Sequence, residues 1–115
     1  MAIERIVPGP RMSQGVVHGN TVYLAGQVAA NPVASVARQT KQILGQIDKL
    51  LKAAGTSKAK LLTTNIWLTD MRAFAEMNEV WDAWVSPGNT PARATVEARL
   101  ANPKYLVEIM VTAAV

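Results

Sequence analysis

The sequence SVARQTKQILGQIDKLLKAAGTSKAKLLTTNIWLT, residues 35–69, contains a helical pattern followed directly by a strand pattern. From Ser35 to Ala54, apolar residues recur every three or four positions, a spacing that places them on one face of an α-helix. These residues are Val36, Ile43, Ile47, Leu50, Leu51 and Ala54. Gly55 follows as a stop signal, because many helices end on a glycine in the left-handed conformation. We predict an amphipathic helix from Ser35 to Ala54.

The next segment, Leu61 to Thr69, has the alternating pattern of a β-strand. One face would carry Leu62, Thr64, Ile66 and Leu68, and the other Thr63, Asn65 and Trp67. Asp70 follows as a candidate N-cap, since its carboxylate can accept hydrogen bonds from the free amides of a second helix. We expect that helix to end at Ser86-Pro87-Gly88. Its inward residues would be Phe74, Met77, Trp81, Trp84 and Val85.

Short strand patterns flank this unit on both sides. Val16–His18 and Thr21–Ala25 are separated by Gly19-Asn20, a common hairpin turn because both residues tolerate positive φ. Two further strands are expected at roughly Ala92 to Ala98 and Leu106 to Ala114. The resulting order is ββαβαββ, which predicts an α+β sandwich with two helices on one face of a mixed sheet. The other face would be bare and largely apolar, so we expect oligomerisation.

Composition limits the class of protein. The 115 residues fit a single domain spanning positions 1–115, and the absence of cysteine excludes disulfides and thiolate metal sites. The net charge of +4 comes from scattered basic residues, so nucleic acid is an unlikely partner. Met1 to Arg11 lacks the apolar run of a signal peptide, and no segment has the length of a membrane span. We expect a soluble, cytoplasmic protein that needs no membrane.

Arg93 is the first candidate for a site residue. In the segment PARATVE, residues 91–97, alternation places Arg93, Thr95 and Glu97 on one face of a strand. A guanidinium can bind a carboxylate through two parallel hydrogen bonds, which lysine cannot do. An arginine at the start of a strand can also simply reach solvent, and the residues alone leave both roles open.

Glu108 is the second candidate, because its neighbours along the strand, Leu106 to Val111, are otherwise apolar. Burying an unpaired carboxylate is costly, so it must face solvent, be paired or have a function. A catalytic role and an ion pair with Arg93, Arg99 or a neighbouring subunit both remain open. The single histidine, His18, has no second histidine or cysteine to join it, so no metal site is expected.

Several segments together resemble a known family. Val22 to Val28, VYLAGQV, is similar to a strand and glycine-containing loop of the Rid (YjgF-like) family of enamine and imine deaminases. PARATVEARL at 91–100, followed by LVEI at 106–109, resembles that family's arginine strand and glutamate strand. RQT at 38–40 and FAEMN at 74–78 also match.

The resemblance implies a fold and an activity. Members are homotrimers with a chorismate-mutase-like fold and active sites in clefts between subunits. They hydrolyse 2-aminoacrylate and related 2-imino acids to 2-keto acids and ammonia without a cofactor. By this resemblance Arg93 would bind the substrate carboxylate, and Glu108 would orient the attacking water and transfer protons. Gly26 would offer its backbone N–H, and Thr95 its backbone groups.

The chain departs from the family pattern at the front of the site. Met12 stands where typical members have tyrosine, Ala25 where they have serine, and Thr95 where many have cysteine. The segment from Val28 to Ser35 is also shorter. A more apolar pocket at Met12 and Ala25 predicts a preference for larger, more hydrophobic imino acids.

Two functions of other classes remain as alternatives. Some relatives are described as endoribonucleases or translation inhibitors, although this chain has no RNA-recognition motif, aromatic stacking platform or histidine pair. A trimer that binds a stable small carboxylate without catalysis is the other. Glu108 argues against that receptor, because a second anion gives it no advantage beside an anionic ligand.

Overall fold

The computed structural model describes every residue from Met1 to Val115 and contains six strands and two α-helices in the order βββαβαββ. The strands are β1 Ile3–Pro8, β2 Ser13–His18, β3 Thr21–Leu24, β4 Leu61–Leu68, β5 Ala92–Glu97 and β6 Val107–Ala114. The helices are α1 Val36–Ala53 and α2 Phe74–Trp84, and short 3-10 helices lie at Lys58–Lys60 and Met71–Ala73. The predicted α+β class is confirmed.

All six strands form one mixed sheet in the order β1-β2-β3-β6-β4-β5. Only β4 and β5 are parallel, as expected for strands joined through a helix, here α2. Alternate residues of the strands form a single apolar core with the buried faces of α1 and α2. The helices therefore cover one face of the sheet, which we call the helix face. The other, which we call the open face, has no helix on it.

The first strand was missed by the sequence analysis, which predicted two strands before α1 rather than three. β1 pairs antiparallel with β2, from Ile3 opposite His18 to Pro8 opposite Ser13. It is an edge strand in which only Ile6 is buried, while Glu4 and Arg5 are exposed. With one apolar residue in the core, the segment carries too little hydrophobic pattern to be recognised.

The predicted faces of β4 are correct except at Leu62. Thr64, Ile66 and Leu68 are buried, but the pairing with β6 shifts register between Leu61 and Thr63. This irregularity turns Leu61 into the core at 7% exposure and leaves Leu62 46% exposed. A β-bulge adds one residue to the alternation, and no simple period reveals that.

Both helices begin and end close to the predicted positions. The Ser35 hydroxyl accepts a hydrogen bond from the amide of Arg38 at the start of α1, and Gly55 beyond its end has a φ of 82°. Asp70 caps the 3-10 helix Met71–Ala73, which leads directly into α2. Within α2, Met77 and Trp81 are buried as expected and Trp84 packs against the core. The prediction that Phe74 points inward is wrong, because its side chain is 39% exposed.

The open face carries much of the apolar surface that the sequence predicted. The strand register places Val16 beside Tyr23, and Trp67 between Val96 and Glu108. Tyr23 and Val96 are both 50% exposed. Neither α1 nor α2 combines the length and the apolar character needed to cross a membrane.

Candidate functional site

Glu108 lies on β6 with its side chain on the open face, beside Trp67 of β4. On its other side is the segment that follows β3, where Gln27 pairs with Ile109 in an isolated antiparallel bridge. This bridge brings Gly26 against the Glu108 carboxylate. A Cβ on Gly26 would lie 3.1 Å from Cδ of Glu108 and would overlap its Oε2 atom. A larger residue at position 26 would therefore displace the Glu108 carboxylate.

The carboxyl group of Glu108 is half-buried and forms no ion pair within the chain. Burial raises its pKa above the ordinary value, because the charged form loses hydration there. A carboxyl group with a raised pKa holds a proton more readily than an ordinary glutamate, which suits it to take up and return a proton in a reaction. Of the alternatives left open for Glu108, an ion pair with Arg93 or Arg99 does not form within one chain, whose single ion pair joins Arg72 and Asp70.

Arg93 lies on β5 opposite Thr64 of β4, on the helix face. Its guanidinium carbon is 5.3 Å from the ring centre of Trp81 and 5.9 Å from that of Phe74. Burial lowers the pKa of Arg93, and the distant charge of Asp82 opposes this effect. An arginine stays protonated under such conditions, so a positive charge without a carboxylate partner rests against two aromatic rings.

Three buried polar atoms without a hydrogen-bond partner lie on β4, β5 and α2, the elements that hold Arg93 and the residues next to it. Three buried side-chain oxygens in the chain have no hydrogen-bond partner, and they belong to Thr64, Asn78 and Thr95. Thr64 is the β4 neighbour of Arg93, and Thr95 points to the same face two residues later. Asn78 lies four residues after Phe74 and three before Trp81, so it shares their face of α2. Buried polar atoms are normally hydrogen-bonded, so these three need an explanation.

The structure does not bring the two proposed catalytic residues together in one chain. Arg93 and Thr95 lie on the helix face, whereas Glu108 and Gly26 lie at the open face. The alternation in PARATVE correctly predicted that Arg93 and Thr95 share a face. Whether Glu108 shares that face depends on the register in which β5 and β6 pair with β4, which the sequence analysis did not predict.

Of the three residues at which the chain departs from the family pattern, Ala25 directly precedes Gly26 and Met12 directly precedes β2. The Ala25 amide donates to the carbonyl oxygen of Gln14 at 2.9 Å, which holds the segment after β3 against β2. Met12 lies in the turn between β1 and β2 and is 55% exposed. Its carbonyl oxygen accepts a hydrogen bond from Gly9 at 2.9 Å.

Two residues were missed as candidates by the sequence analysis. Asn78 has an unpartnered buried oxygen, and the available signal was a polar residue on the apolar face of a helix. Gln27 is only 6% exposed, and its side chain donates to Gln14 Oε1 at 2.9 Å and to the Ala25 carbonyl at 3.2 Å. Its only signal was a polar residue beside Gly26.

No large cavity of the single chain contains Arg93 or Glu108. A cavity of about 630 Å³ lies along the loop between β5 and β6, and one of about 560 Å³ lies between α1 and α2. Neither is lined by the two residues. No three histidine, aspartate or glutamate side chains come close enough together to bind a metal ion.

Comparison with known proteins gives a consistent set of relatives. A family model described as Endoribonuclease L-PSP matches residues 2–115. The chain is 47% identical to the RutC family protein YoaB of Escherichia coli (strain K12) over 115 residues, covering 100% of both chains. It is similar to the crystal structure of a YjgF family member from Neisseria meningitidis, with a TM-score of 0.97 and 47% identity. That match covers 99% of this chain and 95% of the other.

A more distant relative has a name that states an activity. The chain is 31% identical over 103 residues to a Rattus norvegicus protein named 2-iminobutanoate/2-iminopropanoate deaminase. The match covers 84% of this chain and 74% of the rat protein.

Proposed function

Because the chain belongs to the Rid (YjgF-like) family, whose family model is described as Endoribonuclease L-PSP, we propose that it hydrolyses 2-imino and enamine acids to 2-keto acids and ammonia. One observation carries the proposal. Arg93 and Glu108 are both half-buried, and neither has a partner of opposite charge in the chain. Leaving two such charges unpaired is costly, which favours a ligand that uses both. The name of the rat relative supports the same chemistry.

The site would lie between subunits. Since Arg93 and Glu108 occupy opposite faces of the sheet, a substrate that contacts both must take each from a different copy of the chain. The apolar open face offers a surface for such a copy to cover. A closed homotrimer, typical of the family, would contain three equivalent clefts of this kind.

In this cleft the substrate carboxylate would bind the guanidinium of Arg93 through two parallel hydrogen bonds. The Gly26 amide and the backbone of Thr95 would help to orient the substrate. An enamine substrate would first take a proton on its β carbon to become the iminium ion.

Glu108 would carry the protons. Its carboxylate removes one proton from water as the water oxygen bonds to the iminium carbon, which gives a carbinolamine. The protonated Glu108 then transfers that proton to the amine nitrogen. The carbon–nitrogen bond breaks with its electron pair leaving on ammonia, and loss of the hydroxyl proton gives the 2-keto acid. A raised pKa suits both proton transfers.

The expected energies assign much of the rate enhancement to Glu108. A hydrogen bond to a charged group contributes roughly 1.5 to 3 kcal/mol. A ten-thousand-fold acceleration requires about 5.5 kcal/mol. Binding by Arg93 alone therefore falls short, and Glu108 must supply much of the remainder by placing water and transferring protons.

Substrate preference would follow from Met12 and Ala25. Both supply apolar side chains where typical family members have hydroxyl groups. Ala25 adjoins Gly26, and Met12 lies two residues before Gln14, whose carbonyl oxygen accepts from the Ala25 amide. We expect larger, apolar 2-imino acids to be hydrolysed faster than the 2-aminoacrylate unit.

The test follows the decay of imines that an amino-acid oxidase generates in situ from a panel of amino acids. Wild-type protein should accelerate decay, Arg93→Ala should not, and the matched variant Arg99→Ala should behave as wild type. Arg99 lies beyond the end of β5, against the cavity of the β5–β6 loop. Equal decay with and without wild-type protein would overturn the proposal. Tight binding of a 2-keto acid without turnover would then favour a carboxylate-binding trimer.

A further inference from the structure

Three glutamines of α1 hold the loop that follows β3. Gln46 donates to the Val28 carbonyl at 3.0 Å and accepts from the Ala30 amide at 3.0 Å. Gln42 makes the same pair of contacts with Asn31, at 3.0 Å each. Gln39 donates to the carbonyls of Pro32 and Ala34, at 2.8 and 3.2 Å. A loop without regular structure is thus fixed by side chains at three successive points.

Gln46 also reaches the residue beside Gly26. Its Nε2 donates to Oε1 of Gln27 at 3.2 Å, while Nε2 of Gln27 donates to Oε1 of Gln14 at 2.9 Å. The buried amide of Gln27 is therefore held from both sides, by α1 and by β2. Gln42 has no such contact, although it is one helical turn away and equally half-buried.

The backbone of Gln27 fixes Glu108 in turn. The backbone N–H of Gln27 donates to the Ile109 carbonyl oxygen at 2.8 Å, and the backbone N–H of Ile109 donates to the Gln27 carbonyl oxygen at 3.1 Å. This bridge is isolated, so it is not stabilised by a more extended pairing of strands. Gly26 and Glu108 are the residues immediately before its two members, and their close contact depends on the bridge.

We propose that Gln46 is a positioning residue for Glu108, acting through Gln27 and the Gln27–Ile109 bridge. The expected effect of Gln46 on activity rests on the proposed function, whereas its expected effect on the position of Glu108 does not. Without Gln46 the side-chain amide of Gln27 keeps its contacts with Gln14 and Ala25 but loses its anchor on α1. The bridge then opens more often, and the Glu108 carboxylate moves away from Gly26 into water. The turnover number would then fall while substrate binding stays the same, because the contact proposed between Arg93 and the substrate carboxylate is untouched.

The test compares Gln46→Ala with Gln42→Ala, two variants of the same residue type on the same helix face. Hydrogen exchange at the Ile109 amide should accelerate at least about tenfold in Gln46→Ala and stay unchanged in Gln42→Ala. An NMR titration of the Glu108 carboxyl should show its pKa falling towards the ordinary value only in Gln46→Ala. For an imine substrate, kcat should fall about tenfold with KM nearly constant. Gln46→Met, which keeps the length but makes no hydrogen bonds, should repeat these effects.

The outcomes separate this proposal from the function on which it partly rests. If Ile109 exchange and the Glu108 titration are the same in Gln46→Ala and Gln42→Ala, Gln46 does not position Glu108, whatever the activity. If both change as expected but wild-type protein hydrolyses no imine, the positioning role stands and the proposed function fails.

Discussion

The Glu108 carboxylate lies so close to Gly26 that no larger residue fits beside it in the present arrangement. The two residues come from β6 and from the loop after β3, and a single bridge between their neighbours holds them together. This contact defines one half of the proposed site, and Arg93 with its aromatic neighbours defines the other.

Gly26→Ala should remove activity without unfolding the protein. The added Cβ would overlap Oε2 of Glu108 and push the carboxylate aside, so kcat should fall at least about tenfold. Gly45→Ala is the matched control, because a Cβ there has no atom within 4 Å. In the middle of α1 this control should raise stability by about 0.5 to 1 kcal/mol. Full activity in Gly26→Ala would show that Glu108 need not stay where it is.

Glu108→Gln should lose turnover more than substrate binding. Glutamine keeps the shape of the side chain but cannot take a proton from water, so kcat should fall by roughly a hundredfold or more while KM changes little. In wild-type protein, kcat/KM should rise with pH as the carboxyl group ionises. The midpoint should lie above the ordinary glutamate pKa of 4.5, because burial raises the pKa of Glu108. A profile that is flat across that region would remove Glu108 as the base.

The same substitution should not reduce stability at neutral pH. A carboxyl group whose pKa is raised by folding binds its proton more tightly in the folded state. Stability is then lost as pH rises from the unfolded to the folded pKa. Glutamine avoids that loss, so the Tm of Glu108→Gln should equal or exceed that of wild type at pH 7. The advantage should disappear below the ordinary glutamate pKa of 4.5. A lower Tm at pH 7 would mean that Glu108 stabilises the assembled protein.

Arg93→Lys should weaken substrate binding although it keeps the positive charge. Lysine cannot form two parallel hydrogen bonds to a carboxylate, and it loses the flat contact with Trp81 and Phe74. Loss of about 1.5 to 3 kcal/mol should raise KM roughly ten- to a hundredfold. Steady-state kinetics with a saturable imine substrate measures this change. An unchanged KM would place the substrate carboxylate elsewhere.

Leu61→Ala and Leu62→Ala should differ sharply in stability. Leu61 is in the core at 7% exposure, whereas the register shift leaves Leu62 46% exposed. Truncation of a buried leucine typically costs about 2 to 5 kcal/mol, and Leu62→Ala should cost about 1 kcal/mol or less. Urea denaturation of both variants gives the comparison. Equal losses with no change in oligomeric state would contradict the bulge at the start of β4. If Leu62→Ala also dissociates the oligomer, its loss of stability would instead come from a subunit contact.

The sequence predicted those elements whose hydrophobic period is strong. Five of the six apolar residues predicted at helical spacing lie in α1, and the sixth, Ala54, is its C-cap. β6 alternates between buried and half-buried residues along its length. β1 escaped prediction because it contributes only Ile6 to the core, and Leu62 was placed on the wrong face because a bulge interrupts the alternation. Phe74 begins α2 at its exposed edge, where helical spacing no longer decides burial.

The sequence predicted individual residues of the candidate site but not their positions relative to one another. The chemistry of Arg93 and the apolar setting of Glu108 are visible in the sequence. Their separation by the sheet is not, because it depends on the register in which β5 and β6 pair with β4. The role of Gln27 was also hidden, since it arises from contacts with residues far away along the chain, Gln46 and Ile109.

The central claim is that Arg93 and Glu108 act in the same cleft from different subunits, and subunit mixing tests it most directly. Arg93→Ala and Glu108→Gln would each be inactive alone. After equal amounts of the two are unfolded together and refolded as mixed oligomers, about one quarter of the clefts should combine an intact Arg93 with an intact Glu108. Mass spectrometry would confirm that the subunits mix. The account predicts imine hydrolysis by the mixture at about that fraction of the wild-type rate. Mixed oligomers that remain inactive would contradict it, because the two residues would then have to act from the same chain or not at all.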